Sequence, residues 1–256
     1  MTSLYGNVGG TRKSISSAFA NINAAQKQIF PYLAATPLSS LTIGSTVYMK
    51  VNGVSTAFII VHQGRPSTAY DTSCDGTWLL MKDCYTAYVY HNYSYNSYSS
   101  TKLRDYLDNT FINLFDSNII NTIKKVRIPF VSGDGLDGNL MTGSRGLSCK
   151  VFLLSNPEVN FTEDPFWQDG NCLSYFNSAS ANANVNSNIR VAYYNGSAVC
   201  WWLRSPFNNT ASFVYVNEHG SHELRMANSV ATTYVRPALI FPSTVLVDDS
   251  FNVIAT

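Results

Sequence analysis

Charged residues are scarce in this chain of 256 residues. Lysine and arginine together number 17 and aspartate and glutamate 16, so charged side chains make up 13% of the sequence and the formal net charge is +1. A typical soluble domain carries roughly 25% charged residues. Without a basic excess, the release of counterions from phosphate groups contributes little, so we expect no binding to nucleic acid. Binding to anionic membrane surfaces is disfavoured for the same reason.

Long apolar runs are also missing. The longest, such as residues 58–61, are far shorter than the ~20 residues that span a bilayer. Residues 1–6 have neither the basic nor the apolar region of a secretion signal. We therefore expect no membrane insertion, no signal peptide and a chain that is made in a cytoplasm.

Paired cysteines and the common enzyme motifs are absent as well. The cysteines are odd in number and widely spaced, without a C-x-x-C pair, which predicts reduced thiols rather than a zinc or redox site: Cys74, Cys84, Cys149, Cys172 and Cys200. The sequence contains no G-x-S-x-G elbow, H-E-x-x-H helix, P-loop or G-x-G-x-x-G fingerprint. His62 and His91 stand far from any serine or cysteine in sequence, so we interpret both as structural and expect no enzymatic activity.

Two polar segments have the composition of metal-binding loops. Residues 218–223 place two histidines and two glutamates around Gly220, and we favour a solvated hairpin tip over a divalent-metal site there. Residues 134–139 contain Asp and Gly but lack the spacing of a calcium loop, which indicates a turn. We expect no metal site and no cofactor, with calcium left open.

What the chain does contain is a short internal repeat. Residues 5–15 align with residues 19–29 at an offset of 14, each copy running from an aromatic residue through a turn-like centre to a basic residue. The pattern predicts a strand, a turn and a second strand in each copy. Because so short a unit cannot bury an apolar face, it needs a partner surface. Pro31 and Pro37 then mark a boundary, giving a docking segment, 1–36, and a main domain, 37–256.

The main domain combines helical and strand patterns. Asn52-Gly53 between alternating residues predicts a hairpin. Apolar spacing over 100–126 predicts two helices, the second starting at Asp116 or Ser117. The tract 177–188 indicates an exposed loop, and later segments predict short strands: 151–154, 190–194, 199–203, 212–216 and 235–241. The expected fold class is α+β, with two helices, a small antiparallel sheet and long loops.

The segment Trp201–Pro206 and the later segment Val235–Leu239 are the most informative. Adjacent tryptophans on a strand point to opposite faces, so one of Trp201 and Trp202 is expected in the core and the other in a cleft or at the surface. Arg204 and Arg236 lie at apolar strand ends, which predicts structural clamps whose guanidinium groups meet carboxylates or carbonyls. Between them, residues 207–219 alternate aromatic and small polar side chains, a pattern typical either of a binding surface or of an ordinary amphipathic strand pair.

With residues 74–82, these two segments resemble an uncharacterised domain family of phage tail proteins and gut-bacterial surface proteins, over about residue 38 to the end. The repeat is similar to aromatic-x-Asn-Val-Asn-Gly-x-x-Lys units that precede such domains in tail and baseplate proteins. The resemblance implies a C-type-lectin-like domain, akin to formylglycine-generating enzymes and to the receptor-binding proteins that phage retroelements diversify.

That resemblance implies a ligand-binding surface formed by the strands and loops near the C-terminus. Its expected residues are Trp202, Asn208, Asn209, Ser212, Tyr215, Asn217, His219, His222, Leu224, Arg225 and Asn228. Trp201, Arg204 and Arg236 are expected to be structural.

The implied function is host attachment by a phage tail-tip protein, including the case of a retroelement-diversified variable protein. Its expected partners are a host-surface protein or carbohydrate and, through residues 1–36, other tail or baseplate proteins. Because a single site of this type is weak, we expect a homo-oligomer, with a trimer favoured, located in the virion tail. The alternatives are a formylglycine-generating-type enzyme that uses Cys172 or Cys200, and a bacterial surface adhesin.

Overall fold

The structure is a computed structural model. It describes residues 5–8, 11–14, 17–22, 25–31, 35–92, 97–132, 138–163, 168–207, 211–229 and 232–254. Asn208 and Asn209, as well as most of the calcium-like segment at 134–139, lie outside the described residues.

The repeat forms two hairpins with the same register. Strand β1 (Tyr5–Val8) pairs with β2 (Thr11–Ser14), and β3 (Ser17–Ile22) pairs with β4 (Ala25–Pro31). The pair Tyr5↔Ser14 corresponds to Phe19↔Gln28 at the repeat offset, and the next three pairs correspond in the same way. The predicted pairs of strands are therefore confirmed, whereas the predicted turns, at residues 9–10 and 23–24, lie outside the described residues.

The rest of the described chain consists mainly of short strands. They are β5 (Thr36–Pro37), β6 (Thr46–Val51), β7 (Val54–Gln63), β8 (Thr77–Met81), β9 (Thr86–Ala87), β10 (Val126–Ile128), β11 (Phe130–Ser132), β12 (Asn139–Met141), β13 (Leu147–Cys149), β14 (Val151–Phe152), β15 (Ala192–Tyr194), β16 (Ser197–Val199), β17 (Trp201–Pro206), β18 (Ser212–Val216), β19 (His222–Met226), β20 (Tyr234–Val235), β21 (Ala238–Phe241), β22 (Leu246–Val247) and β23 (Val253–Ile254). The hairpin predicted at Asn52-Gly53 joins β6 to β7, and both turn residues have positive φ, as a type I′ turn requires.

The α+β, C-type-lectin-like prediction is wrong, because strands account for 36% of the residues and helices for 19%. Helix α1 (Lys102–Asn109) starts as predicted, with the Thr101 side chain accepting a hydrogen bond from Arg104 N–H. It ends after two turns, and 3₁₀ turns follow. Helix α2 (Ser117–Thr122) is rich in Asn and β-branched residues, which have low helix propensity, and stops after six residues. The described residues contain only these two α-helices, and α1 is the longer of them.

Two five-stranded sheets form the body of the domain. The first sheet has the order β14-β21-β8-β7-β6, and the second sheet has the order β19-β18-β17-β20-β9. Smaller sheets surround them, including the three-stranded sheet β23-β22-β5. Consecutive residues of one strand enter different apolar clusters, as Leu79 and Leu80 do in β8. Both faces are therefore covered at the central strands, which explains why β8 and β17 are continuous buried runs, whereas the edge strand β19 is mostly exposed.

This two-sided cover corrects the prediction for the tryptophan pair. Trp201 and Trp202 do point to opposite faces of the second sheet, but both are buried. Trp201 packs in one apolar cluster and Trp202 in the other. The Trp202 indole N–H donates to Tyr88 O at 2.9 Å, which satisfies its polar atom inside the core.

Candidate functional site

The β18–β19 hairpin carries most of the predicted binding residues that the structure describes. Val216 pairs with His222, and the tip between them contains Gly220 at φ +79°. A Cβ at position 220 would lie 2.1 Å from Ser187 O, so only glycine fits. Gly220 O accepts from Arg190 Nε at 2.7 Å. The hairpin tip is thus fixed to the body of the domain.

A network of hydrogen bonds organises one face of this hairpin. Glu223 stands directly across from Tyr215 in the register. Its carboxylate accepts from the Tyr215 hydroxyl and, at 2.9 Å, from Asn217 Nδ2. These two donors lower the pKa of Glu223, so its exposed side chain is an oriented carboxylate at neutral pH.

Arg225 lies beside that carboxylate. Its guanidinium stacks over the Tyr215 ring, 4.7 Å from the ring centroid, and donates to the hydroxyls of Thr232 and, at 2.6 Å, Thr233. Arg225 makes no ion pair within the described ranges. Its positive charge therefore stays available to a ligand at the surface.

The hairpin tip adds a second carboxylate. Glu218 accepts from the Cys200 thiol at 3.2 Å, and its pKa is lowered by a hydrogen bond from its own backbone N–H and by the one from Cys200. Burial, together with Glu218, raises the pKa of Cys200 to about 11. We define the hairpin patch as Cys200, Tyr215, Asn217, Glu218, Glu223 and Arg225. Its exposed groups are the carboxylates of Glu218 and Glu223, the half-buried Arg225 guanidinium lies beside Glu223, and the buried Tyr215 ring packs beneath Arg225.

The structure separates the predicted binding residues into buried and accessible ones. His219, Leu224 and Asn228 are exposed, whereas His222 and Arg225 are half-buried. His222, Leu224 and Met226 alternate with the patch residues along β19 and so lie on its other face.

Four of the predicted binding residues are buried: Trp202, Ser212, Tyr215 and Asn217. The prediction that their side chains face outward is wrong, because the second sheet is covered on both faces at its central strands. Tyr215 and Asn217 act instead beneath the surface by orienting Glu223. Sequence reasoning missed Glu218 and Glu223, although pairing the hairpin about its tip places Glu223 across from Tyr215.

Beneath the second sheet lies a buried ionic cluster around Arg204. Arg204 Nη1 and Nη2 donate to the two carboxylate oxygens of Glu158 at 2.6 and 2.7 Å. Its remaining N–H groups donate to the carbonyl oxygens of Pro129, Leu153 and Asp169 at 2.8 to 3.0 Å. All five N–H groups are therefore bonded. Although burial lowers the pKa of Arg204, the nearby carboxylates raise it above its usual value.

Asp169 completes this cluster and leaves it with one excess negative charge. Its Oδ1 accepts from Ser205 Oγ at 2.6 Å, whereas its buried Oδ2 has no hydrogen-bond partner among the described residues and lies 3.7 Å from Arg204 Nε. Burial raises the pKa of Asp169 to about 6, against the lowering effect of Arg204. The cluster joins segments 35 to 46 residues apart in sequence, so no local pattern could have revealed it.

Arg236 has the carbonyl partners expected of a clamp but no carboxylate. Its Nε donates to Met81 O at 2.9 Å and its Nη2 to Lys82 O at 3.0 Å. The guanidinium also lies 4.9 Å from the Trp201 ring centroid. It therefore ties β8 to the second sheet.

His62 and Cys172 belong to neither of these clusters. His62 Nδ1 lies 2.9 Å from Ser174 Oγ and accepts from Ser174 N–H at 3.3 Å, which caps the 3₁₀ turn Ser174–Phe176. Burial raises the pKa of Cys172 to about 11. Nowhere in the described ranges do three or more His, Cys, Asp or Glu side chains converge as metal ligands.

No helix in the described part of the chain has the length and apolarity to cross a membrane.

Comparison with known proteins gives one match. No curated protein and no solved structure matches the chain. A family model described as a domain of unknown function (DUF6273) matches residues 75–243. This segment runs from just before β8 to just after β21 and includes the buried ionic cluster and the hairpin patch. Since it covers more than half of the chain, this protein belongs to the DUF6273 domain family.

Proposed function

We propose that this protein is a host-attachment module of a phage tail tip that binds a host-surface protein or glycan through the hairpin patch. The observation that carries the proposal is the exposed Glu223 carboxylate, which Tyr215 and Asn217 hold in one orientation. A pre-oriented polar group loses less conformational entropy on binding than a free one.

Three further features support attachment. Arg225 and Glu218 place opposite charges near Glu223, which suits a polar ligand. The fixed hairpin tip gives the patch a rigid support. The repeated N-terminal hairpins have the form of a docking element, and the motifs resemble those of tail proteins. A trimer that gains strength through avidity remains a prediction.

Binding to intact cells tests the proposal. The fluorescently labelled full chain would be applied to a panel of gut-bacterial strains and measured by flow cytometry. We expect saturable staining of at least one strain, with apparent affinity reduced about tenfold, or roughly 1.4 kcal/mol, in Glu223→Gln and in Arg225→Ala.

Matched controls are available elsewhere on the surface. Glu163→Gln and Arg145→Ala change exposed residues of the same types outside the patch and should stain like the unmodified chain. Staining of no strain by the unmodified chain, or equal staining by all four variants, would contradict the proposal.

A further inference from the structure

A separate cleft lies between β6, the start of α2 and the C-terminal segment. Its volume is about 230 Å³. It shares no residue with the hairpin patch. The side chains that matter below are those of Tyr48, Lys50, Ser55 and Asp116.

The backbone of β6 opens into this cleft. Along the outer edge of β6, Tyr48 N–H donates to Phe251 O at 2.9 Å and Asn52 N–H donates to Leu114 O at 2.6 Å. Lys50 N–H points to the same side, since alternate residues of a strand share a hydrogen-bonding direction. It has no partner among the described residues. The C-terminal segment and the residues before α2 therefore cover the edge on both sides of Lys50 and leave a gap there.

Four side chains border the gap and have donor or acceptor atoms without a hydrogen-bond partner in the described ranges. They are Tyr48, Lys50, Ser55 and Asp116. Asp116 occupies the N-cap position of α2, but its side chain makes no capping hydrogen bond. Lys50 and Asp116 form no ion pair in the described ranges. The ring of Tyr48, which is 36% exposed, borders the cleft, and Ser55 is the cross-strand neighbour of Lys50.

This combination selects for a neutral, hydroxyl-rich ligand. Lys50 and its backbone N–H donate, Asp116 accepts, and Ser55 and the Tyr48 hydroxyl do both. A sugar hydroxyl can donate to the carboxylate and accept from the amine. An anion would be repelled by Asp116 and a cation by Lys50. The Tyr48 ring supplies a flat apolar surface for the C–H face of a pyranose.

The size of the cleft limits the ligand to a small one. Sites for drug-sized molecules measure about 300–1,000 Å³, above the volume seen here. We propose that this cleft binds one pyranose ring of a carbohydrate, held by Asp116 and Lys50 and stacked on Tyr48. This inference goes beyond attachment through the hairpin patch and does not depend on it.

Binding to an array of bacterial surface glycans tests the proposal, followed by calorimetric titration of the purified full chain with the free monosaccharides of the glycans that bind. We expect millimolar to micromolar affinity for at least one sugar. Tyr48→Ala and Asp116→Asn should each weaken it about tenfold, whereas Tyr48→Phe, which keeps the ring, should weaken it less than Tyr48→Ala.

Matched controls separate the cleft from the rest of the surface. Tyr193→Ala and Asp249→Asn alter an exposed tyrosine and an exposed aspartate outside the cleft and should leave sugar affinity unchanged. Thermal melting of every variant checks that each one folds.

The outcomes distinguish this inference from the attachment proposal. The proposal of a sugar site in the cleft would be overturned if the unmodified chain bound no glycan. It would also be overturned if folded cleft variants and control variants bound sugar equally well. Loss of sugar binding in Glu223→Gln with no loss in Asp116→Asn would also overturn it, because that result would locate the sugar site in the hairpin patch. Cell staining that survives Asp116→Asn and fails in Glu223→Gln would leave attachment intact.

Discussion

The second sheet carries two clusters of the same chemistry at different depths. The buried ionic cluster combines Arg204 with Glu158, Asp169 and Tyr70, and Tyr70 OH donates to Glu158 at 2.7 Å. The hairpin patch likewise combines an arginine, two carboxylates and a tyrosine whose hydroxyl donates to a glutamate.

Burial decides what each cluster can do. Inside the protein, an unpaired charge is so costly that Arg204 must use all five N–H groups on protein acceptors. At the surface, water stabilises unpaired charge, so Arg225 and Glu223 need not pair with each other. The buried cluster therefore fixes the positions of strands, whereas the hairpin patch keeps groups available for a ligand.

The largest expected effect tests the buried cluster. Glu158→Gln should lower the free energy of unfolding by about 3–5 kcal/mol, because it removes the carboxylate that pairs with two nitrogens of Arg204 and leaves Asp169, whose Oδ2 lies 3.7 Å from Arg204 Nε, as the remaining carboxylate of the cluster. Urea denaturation would measure this, with Glu163→Gln as the exposed control. The double variant Glu158→Leu/Arg204→Met should lose less than the sum of its single variants. A loss below about 1 kcal/mol in Glu158→Gln would show that the pair does not hold the fold.

The next comparison is between two residues that the sequence assigned to one binding surface. Trp202→Ala should cost about 3–5 kcal/mol, because it empties a large buried volume. Leu224→Ala, at a position that is 38% exposed, should cost less than about 1 kcal/mol. Urea denaturation of both variants measures the contrast. Similar losses for the two would contradict the burial of Trp202.

The excess charge of the buried cluster predicts a pH dependence. The pKa of Asp169 is about 6 in the folded state and 3.8 as the ordinary value, so the folded protein holds a proton that the unfolded chain releases. The contribution of Asp169 to the free energy of unfolding is fully present below about pH 4 and is lost as the pH rises through 6. The loss amounts to about 3 kcal/mol.

Asp169→Asn provides the test. The variant cannot lose this proton, so its unfolding free energy should lack this pH dependence. The unfolding free energy of the unmodified protein minus that of the variant should therefore fall between pH 4 and 6 and stay constant above pH 7. Urea denaturation at several pH values measures the difference. A constant difference over that window would show that Asp169 is ionised throughout.

The smallest effect on stability concerns the hairpin patch. Glu223→Gln should change the free energy of unfolding by less than about 1 kcal/mol, because the side chain is exposed to water and the glutamine oxygen can still accept from Tyr215 or Asn217. The same variant should weaken ligand binding, as described above. A stability loss as large as that of Glu158→Gln would place Glu223 among the structural residues and remove the contrast between the clusters.

Local patterns in the sequence were sufficient for local structure. The turn at Asn52-Gly53 and the start of α1 at Thr101 depend on nearest neighbours, and both were predicted correctly. So were the strand at Ser212–Val216 and the paired N-terminal hairpins. The helical period over 100–126 extends further than the helices do: α1 ends at Asn109, a 3₁₀ turn spans Phe111–Leu114, and α2 ends at Thr122.

The sequence by itself determined where this chain turns, where α1 begins and which residues form its hairpins, because these features depend on neighbouring residues. Only the tertiary structure decided that the central strands are covered on both faces and the edge strand β19 is not, and hence that Trp202 is buried and Glu223 is at the surface. It also brought together Glu158, Asp169 and Arg204. Burial and contacts between distant segments depend on how sheets pack, and that information is spread over the whole chain rather than held in any one segment.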